Sequence, residues 1–276
     1  MNDTERVVAQ ALAEDLGDRG DITSELTIPA GLRTTAQVVS RVDGVLAGRA
    51  AGEEVLRQTG LTAVWHGSDG DRLSPGTVVA DISGPARAVL AAERTLLNLM
   101  CHLSGIATLT AAYVRAAAPA MVLDTRKTTP GLRLLEKAAV AAGGGTNHRI
   151  GLFDRVLVKD NHLALAGAGL VDAVARARRE LPDVVVEVEA DDLDGVRLAL
   201  QAGADWILLD NMRPGEMREA VALTAGRALL EASGGMSLEG ARAAAACGVD
   251  AVSVGALTHS APTLDLGLDI AVPSAG

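Results

Sequence analysis

From Met121 onward the chain repeats one pattern, and that repetition limits the folds open to it. Short apolar runs fall at Met121–Leu123, Arg155–Val158, Val184–Val188, Trp206–Leu209, Ala228–Glu231 and Ala251–Val254. Helical patterns alternate with them, at Leu132–Ala142, Val171–Leu181, Asp192–Ala202, Pro214–Ala225 and Ser237–Cys247. Repeated βα units predict a parallel sheet. Six strands in this rhythm predict an α/β barrel or partial barrel, with an open doubly wound sheet as the competing arrangement.

The first part of the chain has a different rhythm. Residues 5–16 read as a helix, and "EDLGDRGDIT" breaks into a Gly/Asp loop. "TTAQVVSRVDGVLAG", "TAVWHG" and "GTVVADISG" read as strands, and "RAAGEEVLRQTG" as a helix. A long helical pattern runs from about Pro85 to Ala118, with a break or kink expected near Ser104-Gly105. This is the pattern of a sheet with helices on one side. The terminal "TLDLGLDI" alternates Leu with Asp or Gly and reads as a strand that leaves the barrel. The expected division is an N-terminal α/β sandwich domain at 1–104, joined by a returning strand within 262–276, and a barrel domain at 105–261.

Charge narrows the possible partners. The 276 residues carry a net charge of −10, which argues against nucleic acid or an acidic membrane as a partner. No window holds ~20 apolar residues free of charge, so no membrane span is expected. Cys101 and Cys247 lie far apart and predict no disulfide framework, which points to a reducing, cytoplasmic setting. Of 25 basic residues, three are lysines, Lys127, Lys137 and Lys159, and the remaining 22 are arginines. A lysine retained in so Arg-rich a chain marks a place for a compact point charge rather than a planar fork. Lys127 and Lys159 follow apolar runs, whereas Lys137 reads as a solvated helix position.

The carboxyl ends of parallel strands carry the chemistry in α/β folds. Here nearly every run ends in polar residues: Asp124-Thr125-Arg126-Lys127, Lys159-Asp160-Asn161-His162, Glu187 and Glu189, Asp210-Asn211, Ser233-Gly234-Gly235, and Gly255. "GGGTNHR" adds His148 and Arg149 on a flexible loop. Arg126, Lys127, Arg149 and Lys159 at one mouth call for a polyanionic ligand in an otherwise acidic chain. Glu189 and Asp210 are suited to sugar hydroxyls or to Mg²⁺, which prefers oxygen ligands. "ASGGMS" and "SVGALTHS" place small residues where backbone N–H groups meet phosphates.

Each feature has a plainer explanation. Asp210-Asn211 could cap the helix that begins near Pro214. His66 and His102 read as packed or surface residues, and His259 is undecided. Glu187 and Glu189 share a strand face, and one of them could be structural. The functional reading rests on all six strand ends being polar at once.

"LDTRKTTPGLR", "GGGTNHRIGLFDRVLVKDNH", "VEVEADDL", "ILLDNM" and "EASGGM" resemble the signature segments of the quinolinate phosphoribosyltransferases, the carboxylating nicotinate-nucleotide pyrophosphorylases. "EDLGDRGDIT" and "ERTLLNLMCHLSGIAT" match as well, so the likeness spans nearly the whole chain in order. It implies an N-terminal α/β sandwich and an incomplete, seven-stranded α/β barrel, one strand more than the runs counted above. It implies transfer of a phosphoribosyl group from 5-phosphoribosyl 1-pyrophosphate to quinolinate with Mg²⁺. The products are nicotinate mononucleotide, pyrophosphate and CO₂, a step of de novo NAD synthesis.

By the matched segments, Arg126, His148, Arg149 and Lys159 correspond to residues around the quinolinate carboxylates. Arg94 corresponds to a residue supplied by the partner in a homodimer, or in a higher assembly of dimers. Lys127, Glu189 and Asp210 match the phosphoribosyl pyrophosphate and metal region, with Glu189 and Asp210 holding the metal directly or through water. Lys127, Lys159, Glu189 and Asp210 are the expected catalytic set. Ser233, Gly234, Gly235, Gly255 and Ala256 match phosphate-binding turns. A paralogue acting on another base, as in molybdate-transport operons, is opposed by the intact "TRKTTPGLR" and "TNHR". A barrel lyase using Lys159 as a Schiff-base nucleophile stays open. A non-catalytic phosphate-binding module explains neither Glu189 nor the number of cations.

Overall fold

The computed structural model describes residues 2–166 and 169–271. In chain order its first elements are α1 (Asp3–Leu16), α2 (Ile22–Thr27), β1 (Arg33–Ser40), β2 (Gly44–Val45), α3 (Arg49–Gln58), β3 (Thr62–Trp65), β4 (Arg72–Leu73), β5 (Val78–Pro85) and α4 (Ala86–Ala117). Then follow β6 (Met121–Leu123), α5 (Arg133–Ala142), β7 (Val156–Val158), α6 (Asp160–Ala166), α7 (Leu170–Glu180), β8 (Val186–Ala190) and α8 (Leu193–Ala202). The last are β9 (Trp206–Asp210), α9 (Pro214–Thr224), β10 (Leu229–Ser233), α10 (Leu238–Ala246), β11 (Ala251–Ser253), α11 (Ala256–His259) and β12 (Leu266–Ile270). The chain forms two compact units, 1–109 with 129–144 and 260–276, and 110–128 with 145–259.

In the first unit, β12, β1, β5 and β3 make an antiparallel sheet in that order. β12 pairs with β1 through Ala36–Ile270 to Ser40–Leu266, so the Leu/Asp alternation of the terminal segment is a strand. The expected strand region extends to 276, and residues 272–276 lie outside the described residues.

Helix α4 runs through Ser104-Gly105 without the expected break. These small residues serve packing instead. Ser104 Oγ accepts from the Ala47 N–H (3.0 Å) and donates to the Ala47 carbonyl (3.1 Å). Gly105 lets the Pro262 backbone close in: a Cβ there would overlap the Pro262 carbonyl oxygen and lie 3.0 Å from its carbon. By length and composition α4 could cross a bilayer, yet Leu96, Leu97, Met100, Leu103 and Ile106 on it are fully buried in the protein.

The expectation for Lys137 is overturned, since it is 1% exposed beside the fully buried Glu136 on α5. Glu136 Oε2 accepts from the Thr129 N–H (3.0 Å), and Oε1 meets His102 Nε2 at 2.8 Å. α5 therefore buries a face that carries charge, and a burial pattern read from apolar spacing misses such a face.

In the second unit, six strands form a parallel sheet in the order β6-β11-β10-β9-β8-β7. The seventh strand implied by the resemblance is reduced to one parallel bridge, Leu123–Thr146, on the outer side of β6. Strand parity sorts the side chains. Val186, Val188, Ile207, Leu209, Leu230 and Ala232 are buried on one face. Glu187 and Glu189, Trp206, Leu208 and Asp210, and Glu231 and Ser233 take the other.

That second face is concave. His148 is held to the end of β6, its N–H donating to Asp124 Oδ1 at 2.8 Å, yet its Nε2 lies 3.1 Å from Glu187 of β8. In a flat sheet β6 and β8 would be ~19 Å apart at ~4.8 Å per strand. The sheet therefore curls as a barrel does, and an open flat layer is ruled out.

The Gly105 contact yields a stability prediction. Gly105→Ala should destabilise the chain by about 2 kcal/mol, because the clashing atoms are backbone and have little room to move. Urea unfolding would measure it, and an unchanged midpoint would show that the Pro262 segment yields freely.

Candidate active site

The strand ends of the second unit surround two cavities that share part of their lining. One, of about 440 Å³, is lined by residues including Arg126, Lys127, Arg149, Lys159, Glu189 and Asp210. The other, of about 520 Å³, includes Lys127, Asp210, Asn211, Ser233–Gly235, Gly255 and Ala256. Thr125, Lys127, Asp210, Ser233 and Ser253 border both. One lobe thus carries cations, and the other carries small residues and turns. A third cavity, of about 460 Å³, lies in the first unit among Glu14, Asp15, Asn98 and His102 and has no such cations.

In the cationic lobe the cations outnumber their partners. Arg126 Nε is buried with no hydrogen-bond partner among the described residues. Burial pushes the Arg149 guanidinium down from its ordinary pKa, and the neighbouring Arg126 charge adds to the effect. Lys159 Nζ is paired with Glu189 Oε2. Lys127 is exposed, and its main chain is fixed by Thr125 Oγ1 at its N–H (3.0 Å) and by the Thr258 hydroxyl at its carbonyl (2.8 Å). Such a set is ready for an anion with several negative oxygens.

Below the mouth lies a buried ion network. His148, 7% exposed, has Nε2 at 3.1 Å from Glu187 Oε2 and 3.2 Å from Glu231 Oε2. Arg155 Nη1 also reaches Glu187 (3.2 Å), and its guanidinium stacks over Trp206 at 5.1 Å. His148, Glu187 and Glu231 have donor atoms close enough to share a metal ion, but His148 and Arg155 already supply the positive charge. Against its burial, Glu187 is drawn below the usual carboxylate range by His148 and Arg155. Burial raises Glu231. Of the two strand-parity glutamates, Glu187 is the structural one and Glu189 faces the cavity.

His148 was placed at the ligand carboxylates by sequence, and it does line the cavity. Its Nε2, however, is engaged by glutamates. Nδ1 accepts the Arg149 N–H at 2.7 Å, which favours a neutral ring. Burial also favours the neutral ring, but two carboxylates outweigh one amide bond and raise the pKa to about 9.

The remaining expected residues are placed as follows. Asp210 and Glu189 end neighbouring strands and present oxygen donors to the same cavity. Asp210-Asn211 do not cap α9. That helix is capped at Arg213, whose N–H donates to Glu216 Oε2 at 2.8 Å. Gly234 and Gly235 turn with positive φ, 106° and 45°. Arg94 lies on α4 in the first unit, exposed, with Nη2 at 3.3 Å from Glu93; the strand-end cavities are lined from the second unit. Asn211 was named only among the polar strand ends, with no role of its own, and Tyr113 was not anticipated. Tyr113 is the chain's single tyrosine, and its hydroxyl donates to the Met236 carbonyl at 2.9 Å.

The network makes a pH prediction. His148 has a folded pKa of about 9, above the ordinary value near 6.5. Its stabilisation is then fully present below pH ~6.5 and lost as pH rises through about 9. The wild type should lose ~3 kcal/mol across that window relative to His148→Gln. Urea unfolding of both proteins across that range would measure the difference, and parallel curves would remove the cationic His148.

Known proteins resemble the chain over nearly its whole length. Residues 21–104 match the N-terminal domain of quinolinate phosphoribosyl transferase, and residues 106–269 match its C-terminal domain. The chain is 45% identical over 272 residues, 95% of each chain, to "Nicotinate-nucleotide pyrophosphorylase [carboxylating]" of Mycobacterium leprae. It is 40% identical over 289 residues to "Quinolinate phosphoribosyltransferase [decarboxylating] 2, mitochondrial" of Nicotiana glauca, covering 97% of this chain and 82% of that one. The solved nicotinate-nucleotide pyrophosphorylase of Francisella tularensis superposes with a TM-score of 0.92 at 38% identity, covering 98% of this chain and 96% of that one. The chain belongs to the quinolinate phosphoribosyltransferase family.

Proposed function

We propose that this chain transfers the phosphoribosyl group of 5-phosphoribosyl 1-pyrophosphate to quinolinate, releasing pyrophosphate and CO₂ and leaving nicotinate mononucleotide. The observation that carries the reading is the cation excess in the strand-end cavity, where Arg126, Lys127, Arg149 and Lys159 meet and burial disfavours the Arg149 charge. A ligand with two adjacent carboxylates offers what these groups lack. Bidentate Arg–carboxylate contacts would orient the pyridine ring as well as hold it.

The chemistry follows from charge placement. Carbon 1 of the ribose becomes cation-like as pyrophosphate leaves, and the developing charge on the leaving oxygen needs fixed positive partners. Lys127 borders both lobes and is placed to bind that leaving group. Asp210 and Glu189 offer carboxylate oxygens to the ribose hydroxyls. Holding the ring nitrogen near that carbon converts a two-body encounter into a local step. The ring nitrogen becomes cationic once ribosylated, so the electron pair left at carbon 2 by CO₂ loss is stabilised within the substrate until it takes up a proton from water, which forms the C–H bond of the product. Lys159 pairs with Glu189, which gives it a charge-pairing place in the site.

Mg²⁺ fits the donor set. Glu189 and Asp210 supply carboxylate oxygens from neighbouring strands, too few for a closed cage but suited to an ion that keeps waters and substrate phosphates as ligands. When bound there, it would neutralise pyrophosphate charge. For Arg94, exposed on the first unit, we propose a place in the site of a partner subunit in a homodimer.

The test is base selectivity, measured as kcat/KM for both bases at equal Mg²⁺ and 5-phosphoribosyl 1-pyrophosphate. A site built to pair a polar group rejects the analogue lacking it by up to roughly 10⁴-fold, and residual solvent lowers that ceiling. Nicotinate, with one carboxylate, should therefore be at least ~10³-fold poorer than quinolinate. Comparable use of both would leave only a general pyridine phosphoribosyltransferase.

A further inference from the structure

Asn211 lines the lobe of small residues and directly follows Asp210, which borders both lobes. It has a left-handed backbone, φ 55°, a conformation that Asn tolerates better than most residues because its short side chain bonds locally. Its side-chain Nδ2 donates to Asp210 Oδ2 at 2.9 Å. Its N–H donates to the Ser233 carbonyl at 3.0 Å, at the start of the Ser233–Gly235 turn.

The side chain also fills the space beside Gly234. A Cβ at Gly234 would overlap the Asn211 amide and lie 3.1 Å from the Asn211 Cα. Gly234 is therefore required twice, by its own φ of 106° and by the amide packed against it. The far end of the turn is tied down by the Tyr113 hydroxyl at the Met236 carbonyl. The turn is thus held from both ends, and one of the two holds is also the hydrogen-bond partner of Asp210.

We infer that Asn211 is a positioning residue for the phosphorylated sugar. It locks the Asp210 carboxylate and the Ser233–Gly235 turn into one preset unit that receives 5-phosphoribosyl 1-pyrophosphate. This rests on the substrate class proposed above and extends it to a residue that acts through its neighbours. Preset groups lose less freedom on binding, so the unit favours the sugar phosphate without touching the pyridine ring. The cationic lobe binds that ring through Arg126 and Arg149, away from Asn211.

Two variants test this. Asn211→Asp keeps the shape and the left-handed tolerance but removes the donor and sets a second carboxylate beside Asp210. Asn211→Gly keeps the backbone conformation and removes the side chain without adding charge. Calorimetry with Mg²⁺ should show 5-phosphoribosyl 1-pyrophosphate binding weakened about tenfold or more in both, as for loss of a hydrogen bond to a charged group. Quinolinate binding should stay within about twofold of wild type, because its contacts are untouched. Native affinity for 5-phosphoribosyl 1-pyrophosphate in both variants, or equal weakening of both ligands, overturns the inference. If neither variant folds, Asn211 is a folding residue and the inference is likewise overturned. If the wild type binds 5-phosphoribosyl 1-pyrophosphate but forms no nicotinate mononucleotide, the proposed function falls while the positioning role stands.

Discussion

Like charges gathered at one mouth repel, and the second unit is arranged to contain that repulsion before any ligand arrives. Arg126, Lys127, Arg149 and Lys159 converge at the strand ends, where burial weakens screening. Acidic groups beneath them offset part of the charge: Glu189 at Lys159, Glu187 at Arg155 and His148, and Glu231 at His148. Glu187 and Glu231 lie inside the curled sheet, where a lone carboxylate would be expensive to desolvate. Each group is tolerable because the others are present. The guanidinium-bearing residues Arg126 and Arg149 line the cavity with Lys127 and Lys159.

The same arrangement explains why the two lobes differ. In the proposed function, charge would recognise carboxylates in one, while small residues and turns would leave room for phosphate oxygens in the other. Asp210 borders both, and Asn211 ties it to the Ser233–Gly235 turn. The chemistry asked of the site is electrostatic and positional, so it can be built from strand-end side chains without a covalent nucleophile.

Much of this was legible in the sequence, for a physical reason. Parallel strands buried on both faces read as apolar runs, and their polar ends stand out sharply, as at Val158-Lys159 and Leu209-Asp210. Buried charge was not legible. Lys137 and Glu136 look like a solvated helix turn because charge ordinarily means exposure. The engagement of His148 by Glu231 pairs residues 83 positions apart in sequence, and no local pattern reports it. Ser104-Gly105 signals a break by propensity, yet the helix continues because a hydroxyl and a bare backbone meet the needs of packed neighbours. The short helices α2, α6 and α11 lack enough turns to show periodicity. Asn211 was quoted within "ILLDNM", but its role depends on a φ value that the letter alone does not carry.

The central claim is that the uncompensated cations exist to receive two carboxylates. A crystal structure of the chain with quinolinate tests it most directly. Both carboxylates should lie against the Arg126 and Arg149 guanidinium groups, with Lys159 within ion-pair reach. Quinolinate bound elsewhere, or bound in this cavity without contact to Arg126 and Arg149, would contradict the account.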